Sequence, residues 1–357
     1  MQLILLATLA SANDRVLVAG HVYSDTMGVL VGTPVLNVAV DASEELEIGG
    51  RVFVDSITAA SREVDTVTGA SREVRKAGTV SAAWERGVQR ASAMGELSVE
   101  PDWRSATVGA GAARDFAQRC TTVEVFGYVT DDLIQPDRTG WAEEDAERKK
   151  RTVSGRASFS QVLTPVSVAS VTVDLTWVRG FQGNSWYADL VSWAEEGGLS
   201  IDEDVPDERF RQVLAGRYSH HLPFRAAVHP FVRLYRDDWG VESLTLELPW
   251  NQRLGESWIV GVRYRHYLQG AADHYRDSWT ATSAAQGYHT LDYKYDAMLT
   301  QLVGSQLVVD LEGLRKRLGL DRLDTVSLHA AFDHYIQRHD DWTFTAEIGQ
   351  AGLSTSF

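Results

Sequence analysis

The chain has 357 residues, with 34 Lys+Arg against 49 Asp+Glu and a formal net charge of −15. This acidic balance argues against a nucleic-acid partner, because phosphate binding needs a basic surface. The single cysteine, Cys120, excludes an intrachain disulfide and any metal site built from several cysteines.

The first twelve residues, MQLILLATLASA, form the most apolar run of the chain. The run is too short to cross a bilayer as a helix, which needs about 20 residues. A short apolar core followed by small residues resembles a secretory signal peptide with cleavage after Ala12, although no Lys or Arg precedes that core. We therefore predict a signal peptide over residues 1–12, and one domain over residues 13–357.

Alternation of apolar and polar residues with a period of two then recurs along the chain, which predicts strand after strand. Between positions 243 and 250, for example, Leu244, Leu246 and Leu248 occupy even positions, whereas Thr245 and Glu247 occupy odd ones. The clearest runs lie at 46–54, 123–126, 171–177, 224–235, 243–250, 258–265, 307–312 and 326–333. A helical period is present only in two short polar segments, at 141–150 and 314–319.

The connections between these strands are of two kinds, tight turns and long polar segments near 59–77, 132–151, 180–207 and 269–300. Such a difference between the two ends is typical of outer-membrane barrels. We predict an all-β fold: a single closed antiparallel transmembrane β-barrel of about 16 strands. It would have short periplasmic turns and longer extracellular loops, and would lie in the cell outer membrane. The apolar face of the strands, which is the even face between 224 and 250, would meet outer-membrane lipid, and the charged face would line the lumen.

Aromatic residues recur where the predicted strands end, as in the aromatic girdles of membrane barrels. They are Trp84, Trp177, Trp239, Trp250, Trp258, Tyr264, Tyr267 and Tyr335.

The chain ends in QAGLSTSF, and outer-membrane barrels commonly end in an aromatic residue that the barrel assembly machinery recognises. Gln350, Gly352 and Phe357 fit that signal, whereas Thr355 stands where a hydrophobic residue is usual. Unbroken alternation would place Glu347 on the lipid face with Phe357, and a β-bulge would remove this conflict.

Two segments are similar to an uncharacterised bacterial outer-membrane family known as domain of unknown function 3570. The first is VDSITAASREVDTVTGASREVR (54–75), and the second comprises FVRLYRDDWGVESLTLEL (231–248) with VRYRHYLQGAADHY (262–275). The resemblance implies a barrel in the outer membrane and no known activity. Genes of this family often lie near those for a flavin-attaching transferase and a thioredoxin-like protein, which implies a tie to envelope redox chemistry.

The densest group of charged residues at odd positions is Arg233, Glu247, Arg263, Arg265 and Tyr267, on three consecutive predicted strands. We expect Glu247 to lie within direct or diagonal cross-strand reach of Arg263 and Arg233. One interpretation is a network that braces the barrel wall. The other is an electrostatic constriction, because rings of arginine set the selectivity of pores.

Acidic residues precede tryptophan in RDDW and HDDW, at the outer ends of two predicted strands. Asp237, Asp238, Asp340 and Asp341 would form a rim cation site if they bound Ca²⁺, which prefers several oxygen ligands. The alternative is that aspartate suits tight turns and tryptophan marks the membrane interface. A separate repeat, ASREV at 60–64 and 70–74, indicates either a folded hairpin or a loop that docks a partner.

No catalytic, cofactor-binding or metal-binding motif occurs in a plausible context, so we predict neither an enzyme nor a cofactor. A pore or transport channel is the favoured function, since a barrel of 16 strands is wide enough to hold water. The alternative is a plugged structural barrel that scaffolds a periplasmic lipoprotein or an envelope redox partner. Conductance of the refolded protein distinguishes the two.

Overall fold

The computed structural model describes residues 14–58, 72–135, 148–183, 203–279, 286–319 and 323–357. Most of the described chain is β-strand. The strands are β1 (Arg15–Asp25), β2 (Leu30–Ser43), β3 (Leu46–Thr58), β4 (Arg72–Arg86), β5 (Gln89–Val99), β6 (Trp103–Phe116), β7 (Thr121–Ile134), β8 (Arg148–Thr164), β9 (Ser167–Gly180), β10 (Glu208–Leu222), β11 (Ala226–Val228), β12 (Phe231–Asp237), β13 (Glu242–Leu254), β14 (Trp258–Gln269), β15 (Met298–Asp310), β16 (Thr325–Arg338) and β17 (Thr343–Ser356). The predicted signal peptide and the first ASREV repeat lie outside the described residues.

The strands form one antiparallel meander that closes on itself. Each strand pairs with its neighbours in the sequence, and β1 closes the barrel by pairing with β17. β11 and β12 both pair with β10 and with β13, so they are two parts of one interrupted strand. The interruption includes Pro230, which has no N–H to donate to the ladder. The barrel therefore has 16 strand positions, which confirms the predicted fold class.

The apolar face of the strands points outward. Val232, Leu246 and Val262 are 40 %, 45 % and 55 % exposed, and similarly exposed apolar side chains surround the barrel. The intervening positions point toward the axis and carry many of the arginines, aspartates and hydroxyl residues, among them Arg233, Asp115 and Thr107. Because the side-chain period is two, each strand separates its two faces completely. The even residues of β12, β13 and β14 are thus on the outer face, as predicted.

The connections at the two ends differ, although less uniformly than the sequence indicates. At the end that holds both chain termini, most connections are tight turns, such as 87–88, 165–166 and 255–257. The exception joins β15 to β16 over 311–324 and contains the short helix α1 (Glu312–Arg317). At the other end, long segments alternate with tight turns such as 26–29, 100–102, 238–241 and 339–342. In the part of the chain that the structure describes, no helix has the length and apolar character to cross a membrane.

Candidate functional site

The predicted lumen cluster lies on the inner wall of β12, β13 and β14. Arg233, Glu247, Arg263, Arg265 and Tyr267 occupy inward positions, since their even-numbered neighbours are exposed on the outer face. Glu247 is directly opposite Arg265 and Phe231, and is therefore diagonal to Arg263 and Arg233. The strand register thus gives the cross-strand proximity that the sequence predicts.

Arg263 pairs not with Glu247 but with Asp333, a carboxylate that the sequence did not predict as its partner. Its Nε donates to Oδ1 of Asp333 on β16 at 2.9 Å, and its Nη2 forms a second ion-pair contact with the same carboxylate. The two residues are separated by β15, where Gly304 pairs with both. A Cβ on Gly304 would lie 2.0 Å from Asp333 Oδ1, so only glycine leaves room for this bridge. The bridge was not predictable from alternation alone, because it spans three strands.

Several other arginines on this wall have no carboxylate partner in the described part of the chain. Arg233 and Arg265 form no ion pair there, and the guanidinium of Arg233 lies 5.3 Å from the ring centre of Tyr235. Arg211 on β10 also lacks an ion pair, and its buried Nε has no hydrogen-bond partner. The neighbouring Arg209 forms an ion pair with Asp237, and the Nε of Arg209 donates to that carboxylate at 2.8 Å.

The charge balance of this wall is consequently positive. Inward positions of β10, β12, β13 and β14 carry Arg209, Arg211, Arg217, Arg233, Arg263 and Arg265, against the carboxylates Asp237 and Glu247.

The opposite wall, formed by β1 to β7, has a negative charge balance. Inward positions of β1 to β7 carry Arg15, Arg51, Arg75 and Arg90, against Asp25, Asp41, Glu47, Asp55, Glu96, Asp115, Glu124 and Asp132. Some of these charges are paired, as in Arg90–Asp115 at 2.9 Å. An ion in the lumen therefore meets walls of opposite net charge.

A row of tyrosines lines the lumen near the outer ends of the strands. Tyr23, Tyr235, Tyr267 and Tyr335 each donate a hydroxyl hydrogen bond of 2.5–2.7 Å to the inward side chain two residues later, respectively Asp25, Asp237, Gln269 and Gln337. The sequence signal for this row is Tyr-x-Asp/Gln on an inward face. Tyr267 and Tyr335, which were predicted as interface aromatics, are therefore lumen residues.

The connection between β14 and β15 crosses the outer end of this wall. At one side Tyr295 and His274 pack on Trp239, with ring centres 5.3 and 4.8 Å away. At the other side Asp296 bonds His339 at 2.6 Å. We call residues 270–279 and 286–297 the strap. Trp239 is 2 % exposed, so the prediction that it belongs to a membrane girdle is wrong.

Burial changes the acid–base behaviour of two strap residues. The pKa of His274 is lowered, first because burial disfavours the charged imidazole and then because Arg209 is nearby. The pKa of Tyr295 is raised, chiefly by burial. His274 also leaves its buried Nε2 without a hydrogen-bond partner. Both shifts favour the neutral forms of these two side chains.

The predicted rim cation site is not assembled. The Asp237 carboxylate accepts bonds from Arg209, from Tyr235 and from the N–H groups of Trp239 and Val241, which leaves no oxygen open. Asp238 accepts the N–H of Phe210 at 2.9 Å, whereas Asp340 and Asp341 are exposed in another turn. Among the described residues, no group of three or more His, Cys, Asp or Glu side chains could hold a metal ion. Turn formation and wall pairing account for these aspartates.

The C-terminal residues Gln350, Gly352 and Phe357 belong to the strand pair that closes the barrel. Gln350 is opposite His21 and Gly352 is opposite Ala19, and the Phe357 N–H donates to the Asp14 carbonyl at 3.0 Å. Their role as an assembly signal stays a prediction. The ladders of β17 contain no bulge, so alternation is unbroken.

Glu347 accordingly faces outward, and the imidazole of His334 on β16 lies 2.7 Å from its carboxylate. The contact between His334 and Glu347 on the outer face, rather than a bulge, resolves the conflict that the sequence raised.

The sequence matches a protein family described as "Protein of unknown function (DUF3570)" over residues 58–354. A search of curated protein sequences gives no match.

Among solved structures, the chain is similar to a bacterial polysaccharide outer membrane secretin, with 8 % identity, a TM-score of 0.56, and coverage of 98 % of this chain and 99 % of that chain. It is also similar to CdiB from Acinetobacter baumannii, with 9 % identity, a TM-score of 0.55, and coverage of 97 % of this chain and 60 % of that one. The monoaromatic hydrocarbon channel CymD has 9 % identity, a TM-score of 0.48, and coverage of 98 % and 89 %. The two similarities with a TM-score above 0.5 show the fold, and the protein is an outer-membrane β-barrel.

Proposed function

Because the chain belongs to the DUF3570 family, whose description assigns no activity, we propose a function from the charged residues of the lumen. The protein is a passive channel in which anions pass along the wall formed by β10 to β14. A barrel of 16 strands encloses an aqueous space. Arginine clusters in such a space raise the local concentration of anions.

One observation carries this proposal. Arg211, Arg233 and Arg265 point inward, and none has an ion-pair partner in the described residues. A paired arginine contributes a dipole, whereas an unpaired one contributes a full charge. The net charge of −15 does not cancel this local effect, because charges beyond about 8 Å are screened at physiological salt.

The test is ion selectivity in planar bilayers. The double variant R233Q/R265Q should shift the reversal potential under a salt gradient toward cation preference, while the protein still folds. Arg263 is a poor target, because its loss would leave Asp333 without its partner. The matched control is R236Q, because Arg236 lies on the same strand as Arg233 but is exposed on the outer face.

Three outcomes would count against the proposal. An unchanged reversal potential in R233Q/R265Q would mean that these arginines do not line the ion path. A shift of equal size in R236Q would mean that the effect is not specific to the lumen. A folded wild-type barrel that never conducts would favour the plugged scaffold, and co-purification of a lipoprotein or redox partner from the native envelope would then identify its occupant.

A further inference from the structure

The outer wall of β4 to β8 carries a row of basic side chains that the lumen does not involve. Lys76 pairs across the ladder with Val99, which pairs with Arg104. Arg104 pairs with Leu133, which pairs with Lys149. Cross-strand partners share a face, so Lys76, Arg104 and Lys149 form one outward row, and all three are exposed. Successive cations are two strands apart, a distance of about 10 Å.

The depth of this row in the membrane follows from β6. Between Arg104 and Arg114 the outward residues are Ala106, Val108, Ala110 and Ala112, all uncharged. Ten residues at about 3.3 Å each, on a strand tilted by about 40°, span about 25 Å along the membrane normal. That length equals the height of the apolar band of a membrane barrel, about 25 Å. Arg104 therefore marks the outer boundary of the hydrocarbon, and Arg114 marks the inner one.

Two charges of the row are available to a ligand from outside, because Lys76 and Arg104 have no ion-pair partner in the described part of the chain. The basic residues below Lys149, on β8 and β9, are matched instead. Arg151 bonds Asp131 at 2.6 Å, and Arg179 lies 3.4 Å from Glu208.

At the outer ends of β12 and β13 the outward charges balance. Arg236 is directly opposite Glu242, and both are exposed on the outer face.

An apolar surface lies directly beneath the row. Val80, Leu97 and Val108, on β4, β5 and β6, are 66 %, 66 % and 65 % exposed, the highest values among the large hydrophobic side chains described. Their outward neighbours are small, including Gly78, Gly95 and Ala106, so the wall around them is flat. A molecule that meets both the row and this surface needs anionic groups at the membrane boundary and hydrocarbon chains below them.

We propose that Lys76 and Arg104 bind the phosphates of a phosphorylated glycolipid of the outer leaflet, with its acyl chains on Val80, Leu97 and Val108. A lipid of the lipid A type, with two phosphates on a sugar backbone, matches two cations at this spacing. Each Lys or Arg near an anionic membrane surface strengthens binding by about five-fold. The two together should strengthen it by about 25-fold.

The experiment measures binding of bis-phosphorylated lipid A to the purified full-length protein in detergent, by native mass spectrometry. The double variant K76Q/R104Q should bind about 25-fold more weakly than wild type, and K76Q or R104Q alone about five-fold more weakly. The matched control R236Q/R338Q, which removes two rim cations outside the row, should bind like wild type. Dephosphorylated lipid A should bind wild type as weakly as lipid A binds the double variant, and excess inorganic phosphate should not displace the lipid.

The proposal would be overturned in several ways. Equal affinity for lipid A and its dephosphorylated form would mean that phosphates are not recognised, and displacement by inorganic phosphate would identify a free-ion site instead. An equal loss in R236Q/R338Q would indicate general rim charge. If the double variant does not fold, the single variants decide, since unchanged binding in both contradicts the proposal. Channel measurements are not involved, so this test is independent of the proposed conduction.

Discussion

The outward residues of strand β6 lie at different depths in the membrane, so arginine substitutions along this strand test which residues face lipid. Val108 lies four residues from Arg104 and six from Arg114, which places it about 10 Å below the outer boundary and about 15 Å above the inner one. An arginine at the bilayer midplane destabilises a barrel by about 2–4 kcal/mol, whereas near the interface the cost falls to about 0–1 kcal/mol. Val108→Arg should therefore lower the folding equilibrium constant by about 30- to 1,000-fold, and Ala106→Arg by about five-fold or less.

The inward control at the same depth is Thr107→Arg. Thr107 shares a hydroxyl hydrogen bond of 2.8 Å with Thr130 on the inner face, so its replacement should cost about 1 kcal/mol. The assay is equilibrium urea unfolding in lipid vesicles, followed by tryptophan fluorescence. Equal costs for Val108→Arg and Thr107→Arg would refute the assignment of faces. Equal costs for Val108→Arg and Ala106→Arg would refute the assignment of depths.

Three further outcomes are expected. Without boiling, the protein should migrate in SDS differently from the boiled form, because a barrel closed by β1 and β17 has no free edge from which to open, and identical migration would contradict closure. Arg263→Gln should lower the free energy of unfolding by about 1–3 kcal/mol, because Asp333 is 2 % exposed and loses its partner, whereas Arg263 itself is partly hydrated. The double variant R263Q/D333N should recover most of this loss, as measured by urea unfolding. The pKa of His274 is lowered in the folded state, so this residue stabilises the strap fully above the ordinary histidine pKa of 6.5 and less as the pH drops below it. Hydrogen exchange of the strap, corrected for intrinsic rates, should therefore increase from pH 7.5 to 5 in wild type. The increase should be absent in His274→Asn.

The sequence by itself determined which residues face lipid and which face the lumen. Alternate residues of a strand point to opposite faces, so this assignment needs no knowledge of any partner strand. It placed Arg233, Glu247 and Arg265 together on the inner wall, and the tight turns then brought Glu247 opposite Arg265. The barrel, its approximate strand number and the outer-membrane location follow from the same local pattern.

The tertiary structure alone decided how the charged residues are paired and where the long connections lie. Arg263 and Asp333 are 70 positions apart and meet across Gly304, and Glu347 tolerates an outward position because His334 is beside it. Trp239 is buried because the strap covers it, although its surroundings in the sequence resemble those of an interface tryptophan. A side chain's face depends on its own strand, but its partner depends on the register of several strands and the path of distant loops. Both are settled only when the barrel closes.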